Sequence, residues 1–260
     1  MDNTTTIYWF SGTGNSLHAA KSLSSLLGGA TLKRITSDAP AGSAGDDGKA
    51  VGFVFPSYYG NLPRAVAGFV DKLGIERGSY VFCVVTMGAF GQGSVGSLNR
   101  LLQKKGVALD YGKGVVYPAN YVVMYDPADP SGSEKKLAKA NERLALIAED
   151  IKNRKKSVST LPITTDALYK NIEALDKGFA AGDKCAGCGR CERVCAVKNI
   201  RIDNGKPKWL GHCERCVACI SLCPVRAIDY GDKTQTRRRY LNPYVKAEEL
   251  ETVPPDASFT

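Results

Sequence analysis

Eight of the nine cysteines in this 260-residue chain fall between Cys185 and Cys223, in two copies of one spacing, and no other feature constrains the fold as tightly. Cys185, Cys188, Cys191 and Cys195 read C-x2-C-x2-C-x3-C, and Cys213, Cys216, Cys219 and Cys223 repeat it. Three thiols, each three positions from the last, sit on a tight loop whose backbone wraps one face of a polynuclear centre and leaves amides free to bond sulfur. The fourth thiol opens a following helix. Thiolates so spaced build iron-sulfur clusters. A disulfide framework needs a secreted chain, yet Met1 to Phe10 holds no basic n-region, long apolar core or small-residue cleavage site. Zinc usually takes two C-x2-C pairs and leaves the third thiol of each run unexplained.

The spacing resembles that of two-cluster bacterial ferredoxins, in which the fourth cysteine of each run ligates the other cluster. The resemblance implies two [4Fe-4S] clusters, one on Cys185, Cys188, Cys191 and Cys223, the other on Cys213, Cys216, Cys219 and Cys195. Each half then locks the other. Pro224 follows Cys223, as in the ferredoxin pattern, but Ala196 stands where proline would follow Cys195 and keeps an amide that could bond a sulfur. The ninth thiol, Cys83, lies within the apolar run Ser79 to Val85 and reads as a core residue of a buried parallel strand.

The formal charge of +9 is spread along the chain, with +4 over residues 1–125, +1 over 126–182, +4 over 183–230 and zero over 231–260. Two oxidised clusters and a flavin phosphate would lower the total to about +3. Nucleic-acid binding is therefore not expected. No apolar stretch approaches a membrane span, so no membrane insertion is expected and a cytoplasmic location is.

Residues 1–157 alternate strands and helices. Thr5 to Phe10, Thr31 to Ile35, Ala50 to Phe55, the strand around Cys83 and one near Gly114 to Tyr117 are predicted strands. Asn15 to Leu27, Pro63 to Leu73, Ser94 to Lys105 and Ser133 to Lys155 are predicted helices, the last burying Leu137, Leu144, Ile147 and Ile151 along one face. Such alternation means a parallel sheet covered on both sides. Ser37 to Gly48 and Asp126 to Ser133 read as surface loops.

Between the first strand and first helix stands Ser11-Gly12-Thr13-Gly14-Asn15-Ser16. Its glycines let backbone amides and the helix N-terminus converge on one point, and its hydroxyls add donors, which makes an anion site. Without a G-K-[ST] ending, no lysine reaches a second or third phosphate, so a single terminal phosphate such as that of FMN fits better. A ligand of a doubly wound sheet lies outside the carboxyl ends of its strands. The segments after the third and fourth strands are therefore candidates for its ring: Pro56, Ser57, Tyr58, Tyr59, Gly60 and Asn61, then Thr86, Met87, Gly88, Phe90 and Gly91. Tyr58 or Tyr59 could stack there. Gly91 to Gly96 matches G-x-G-x-x-G with Asp110 downstream, but the first strand-helix turn, where that fingerprint belongs, is already occupied by Ser11 to Ser16.

On IYWFSGTGNS, PSYYGNLP, CGRCERVCAVKNI and CERCVACISLCPVRAI, the chain resembles the anaerobe proteins in which a flavodoxin-like domain is fused to a bacterial two-cluster ferredoxin. The resemblance implies an α/β flavodoxin-like doubly wound sheet of five parallel strands over 1–157 that binds FMN. It also implies a small α+β bacterial-type 2[4Fe-4S] ferredoxin domain over 183–230, joined by a connector at 158–182 and followed by a tail at 231–260. A flavin exchanges electrons singly or in pairs and clusters singly, so the pairing suits conversion between the two. The expected function is electron transfer between these cofactors and redox partner proteins. An FMN-dependent reductase of a small-molecule acceptor fed through the clusters is the alternative. A redox sensor is a third class that nothing in the sequence favours, and a homodimer is left open. His18, His212 and the run Arg237, Arg238 and Arg239 are read as structural, surface and solvated, respectively.

Overall fold

A computed structural model describes residues 5–39, 42–44, 49–89, 91–127, 129–160 and 176–252. Those residues form two compact units, the first within Met1–Ser11, Asn15–Ala119 and Ala128–Asn171, the second within Gly12–Gly14, Asn120–Pro127 and Ile172–Thr260.

In the first unit, β1 (Thr5–Trp9), β2 (Thr31–Arg34), β4 (Ala50–Pro56), β6 (Tyr80–Met87), β7 (Tyr111–Val116) and β8 (Ser157–Val158) make one sheet in the order β2-β1-β4-β6-β7-β8. Every pairing in it is parallel. The five long strands follow the 2-1-3-4-5 order of flavodoxin-like sheets, with the reversal between β1 and β4. β6 is buried at all eight positions, the pattern of a central parallel strand covered on both faces. Helices α1 (Asn15–Leu26) and α4 (Pro130–Lys152) pack together, as do α2 (Arg64–Lys72) and α3 (Gln92–Lys104).

The expected five strands become six. Ser157 donates its amide to the Asp110 carbonyl (2.9 Å) and Ser159 to that of Gly112 (3.0 Å), so the chain leaving α4 adds a short edge to β7. β7 begins three residues before the predicted start, and its two glycines serve packing. A Cβ at Gly112 would press on Val95, and one at Gly114 on Met87. The fourth helix begins at Pro130, not Ser133, since Asp129 caps it by accepting the Gly132 amide (2.6 Å) and proline suits the first turn. Its predicted apolar face is buried, together with Ala140 and Ala148. Within the expected loop from Ser37 to Gly48, β3 (Ser43–Ala44) pairs in parallel with β5 (Gly74–Ile75). Residues 40, 41 and 45–48 lie outside the described residues, as does most of the expected connector, 161–175. Cys83 is fully buried, as the apolar run implies. His18 is buried and bonds the Tyr117 hydroxyl at 2.9 Å.

The second unit carries two antiparallel ribbons, β10 (Ile200–Asp203) with β11 (Lys206–Trp209) and β9 (Phe179–Ala181) with β12 (Ile228–Tyr230). Phe179 joins them, stacked on Trp209 at 6.0 Å and edge-on to Tyr230 at 4.9 Å. The arginine run is not a solvated patch. Arg237 donates to the Val122 carbonyl (2.7 Å), Arg238 pairs with Asp126 (2.8 Å), and Arg239, its side chain only 6% exposed, pairs with Asp229 (2.6 Å). Further along, Arg190 and Arg193 both bind Glu251, and the Thr252 amide closes on the Arg193 carbonyl at 2.8 Å.

Candidate functional site

The two cysteine runs are one backbone built twice, 28 residues apart. Short helices Arg190–Arg193 and Ala218–Ser221 follow equivalent thiols. Left-handed residues recur in register, with Gly187 (φ 66°) matching Arg215 (53°), Gly189 (71°) matching Val217 (55°) and Lys198 (54°) matching Arg226 (49°). A β-branched residue in that region is a genuine outlier, and Val217 is held there buried. Strain of this kind persists where the surroundings over-determine a functional loop. Amides aim at sulfur in register too, from Asn199 to Cys195 and from Ala227 to Cys223, each at 3.2 Å. Arg215 adds an amide bond to Cys213 at 3.2 Å.

The thiols group across the runs. Burial pushes Cys213 up to about 12, with the Arg215 amide opposing and Cys195, Asp176 and Glu214 adding to the rise. Burial also raises Cys216 and Cys219, and Cys195 and Cys213 act on both. Cys191 rises to about 11, chiefly through burial, with Cys185 and Cys188 adding to the rise, and it acts in turn on Cys219 of the other run, as Cys195 does. Burial disfavours the thiolate at Cys191, Cys213, Cys216 and Cys219, and ligating a metal there releases protons. Of the eight, Cys188 is exposed, Cys185, Cys213, Cys216 and Cys223 are half-buried, and Cys191, Cys195 and Cys219 are buried.

A polar strut braces the second run. Buried Asp176 accepts from Asn199 Nδ2 (2.9 Å) and the Gly211 amide (2.8 Å), and Asn199 Oδ1 accepts the His212 amide (2.7 Å). His212 is therefore exposed, as expected, but tied through its backbone. Sequence reasoning missed Asp176, which lies outside both runs.

The loop Ser11–Ser16 lies at the carboxyl end of β1, with Ser11, Thr13, Asn15 and Ser16 all buried. Ser16 Oγ and Thr86 Oγ1 are 2.7 Å apart, the Ser57 amide bonds the Thr86 carbonyl (2.8 Å), and Ser94 Oγ donates to Ser57 Oγ (2.8 Å). The loops after β1, β4 and β6 are thereby brought together at one rim. Pro56 ends β4 opposite Thr86. Tyr58 and Asn61 exchange backbone bonds around Tyr59 (φ 52°) and Gly60 (φ 77°), the two positive φ values of a type I′ turn. The Tyr58 ring sits edge-on to Phe10 at 6.2 Å. Gly91 packs where a Cβ would meet Ser57 and Met87, and Gly88 lies against Ala119. Phe90 lies outside the described residues.

Asn15 Nδ2 donates to the Pro118 carbonyl (3.1 Å) and Asn120 Nδ2 to Thr13 Oγ1 (2.5 Å). The loop after β7 therefore also braces the glycine-rich turn. A polar Pro-Ala-Asn step following a predicted strand was its only signal. Gly12 and Gly14 are required as glycine, since a Cβ would strike the Cys216 carbonyl at Gly12 and crowd Asn242 and Val245 at Gly14 (φ 94°). Asp110, the acid of the G-x-G-x-x-G match, accepts the Val81 amide (2.9 Å) and pairs with Lys156 (3.3 Å), a structural use.

Residues 178–234 match the family described as the 4Fe-4S dicluster domain. The matched segment lies wholly within the second unit. No curated protein matches the chain significantly. Among solved structures, a flavoprotein of Bacteroides uniformis is similar over 45% of this chain and 92% of its own, at 15% identity and a TM-score of 0.35. A flavodoxin of Streptococcus pneumonia TIGR4 is similar over 58% of this chain and 98% of its own, at 16% identity and a TM-score of 0.37. The matched segment contains all eight cysteines of the two runs, in keeping with an iron-sulfur domain. Among the described residues no helix is long and apolar enough to cross a membrane.

Proposed function

We propose that the chain passes electrons between FMN, held at the loops that follow the carboxyl ends of the parallel strands, and two [4Fe-4S] clusters in the dicluster domain, serving redox partner proteins in the cytoplasm. The observation that carries this reading is the cysteine backbone built twice, with left-handed turns and sulfur-directed amides in register 28 residues apart, inside the segment that matches the 4Fe-4S dicluster domain; crossed ligation is what the ferredoxin spacing implies. One cluster then takes Cys185, Cys188, Cys191 and Cys223, the other Cys213, Cys216, Cys219 and Cys195. The donor set fits iron, being all thiol with amides aimed at sulfur.

The flavin reading rests on the rim described above. Ser11, Gly12, Thr13, Gly14, Asn15 and Ser16 would hold a terminal phosphate, the first-turn amides of α1 having no partners within the helix. Residues 56–61 and 86–91 would border the ring. A bound flavin would supply the exchange between paired and single electrons. The chain's own residues hold the loop shape, through Ser16, Thr86 and Ser57, and keep the thiols of each cluster fixed through the left-handed turns.

The test is rapid reduction of the cluster- and FMN-loaded protein by a one-electron reductant, followed at flavin and cluster absorbance. Electrons should redistribute between the two at a rate independent of protein concentration. A rate proportional to concentration, or no redistribution, would contradict transfer within the molecule.

A further inference from the structure

A cavity of about 500 Å³ in the second unit is lined by Lys184, Arg226, Arg237 and Arg239, with Asp183 and Asp229 the only carboxylates. Its wall shares backbone with two cysteines assigned to the first cluster. The amide of Ala227, a lining residue, bonds Cys223 Sγ at 3.2 Å, and the Cys185 amide bonds the carbonyl of Gly182, also lining, at 3.1 Å. Asp229 is already committed to Arg239 (2.6 Å) and accepts from the Thr234 hydroxyl (2.8 Å). Among the described residues Lys184 and Arg226 have no acidic partner. Arg190 and Arg193 also lie on this run, but Glu248 and Glu251 match them.

The second run has the opposite surroundings. Asp176 is 4% exposed and reaches it through Asn199, whose own amide bonds Cys195. Arg215 is a cation of this run, its guanidinium held by the Tyr121 and Tyr230 hydroxyls (3.1 and 2.6 Å) and the Tyr230 ring, and the neighbouring Glu214 carboxylate, 6% exposed, sets a second negative charge against it. The exposed thiol, Cys188, is on the first run. Cluster potential depends on net charge, sulfur-directed bonds and solvent exposure. The sulfur-directed amides at Cys195 and Cys223 are equivalent, and the extra Arg215 amide at Cys213 favours reduction of the second cluster, so charge and exposure must outweigh one hydrogen bond. Both favour the added electron on the first cluster, because cations and water stabilise the extra negative charge while a buried carboxylate opposes it.

We infer that the two clusters are not equivalent: the one on Cys185, Cys188, Cys191 and Cys223 has the higher midpoint potential, set by the basic cavity beside it. The inference rests on the two-cluster reading above. Within the dicluster domain an electron therefore settles at the solvent-facing end, next to Lys184 and Arg226.

An EPR-monitored potentiometric titration of the full-length, cluster-loaded protein tests it. Two one-electron couples should appear. Arg226→Gln with Arg237→Gln should lower the upper couple by about 59 mV, a tenfold change in its reduction equilibrium. The lower couple should stay in place, and Asp176→Asn should raise that lower couple alone. Coincident wild-type couples, or an arginine-variant shift confined to the lower couple, would overturn the assignment. Should Asp176→Asn fail to load clusters, the arginine pair alone decides. Iron and sulfide counts on the same samples separate failure of this ordering from failure of the two-cluster reading.

Discussion

Cys195→Ser should empty the cluster of the other run: the variant loses roughly half its iron and sulfide, and the surviving cluster is the one that Cys185, Cys188, Cys191 and Cys223 hold. Cys195 stands only four residues from Cys191, so a ligand set read by proximity in sequence would give the opposite result. The crossed outcome follows from the ferredoxin spacing, in which the fourth cysteine of each run serves the other cluster; the short helix Arg190–Arg193 carries Cys191 and releases the chain at Val194, just before Cys195. The mirror variant, Cys223→Ser, should remove the first cluster and spare the second. Iron analysis with EPR of each variant reads both outcomes. Loss of the same signal from Cys195→Ser and Cys191→Ser would sink crossed ligation.

The largest effect on stability is expected at Arg239. Arg239→Ala removes a guanidinium that pairs with Asp229 and donates to the carbonyls of Thr234 (2.8 Å), Arg237 (3.2 Å) and Ile228 (3.3 Å). Those carbonyls and the Asp229 carboxylate would lose their donor at a site that water barely reaches. Breaking a buried pair from one side costs about 3 kcal/mol. The Nε hydrogen of Arg239 has no acceptor among the described residues, and the four bonds of its two Nη atoms outweigh that cost. Urea unfolding of the dicluster signal, with the full chain loaded, should show the loss. A change under about 1 kcal/mol would mean that the pair is as weak as an exposed one.

The doubly wound unit was legible because its strands are apolar runs and its helices carry one apolar face. The misreadings share a cause: a residue chosen for long-range packing looks local in sequence. Gly112 and Gly114 resemble a turn but make room for Val95 and Met87. Asp129 and Pro130 resemble a loop but start a helix. Three adjacent arginines look solvated, yet each has its own partner, at Val122, Asp126 and Asp229. Those partners lie up to 115 residues away in sequence, beyond any periodicity. The cysteine spacing was readable as that of a 4Fe-4S dicluster domain, which residues 178–234 match. The backbone beneath was half readable: glycines mark the left-handed positions in the first run, whereas Arg215 and Val217 hide the same positions in the second. Asp176, Pro118 and Asn120 support the sites from outside every motif, and only the folded chain brings them in.

The central claim is that one chain carries a flavin mononucleotide together with two cubanes. Anoxic reconstitution followed by iron, acid-labile sulfide and flavin analysis tests it most directly. About eight iron, about eight sulfide and one FMN should be found per chain. Zinc in place of iron, or iron without any retained flavin, would contradict it.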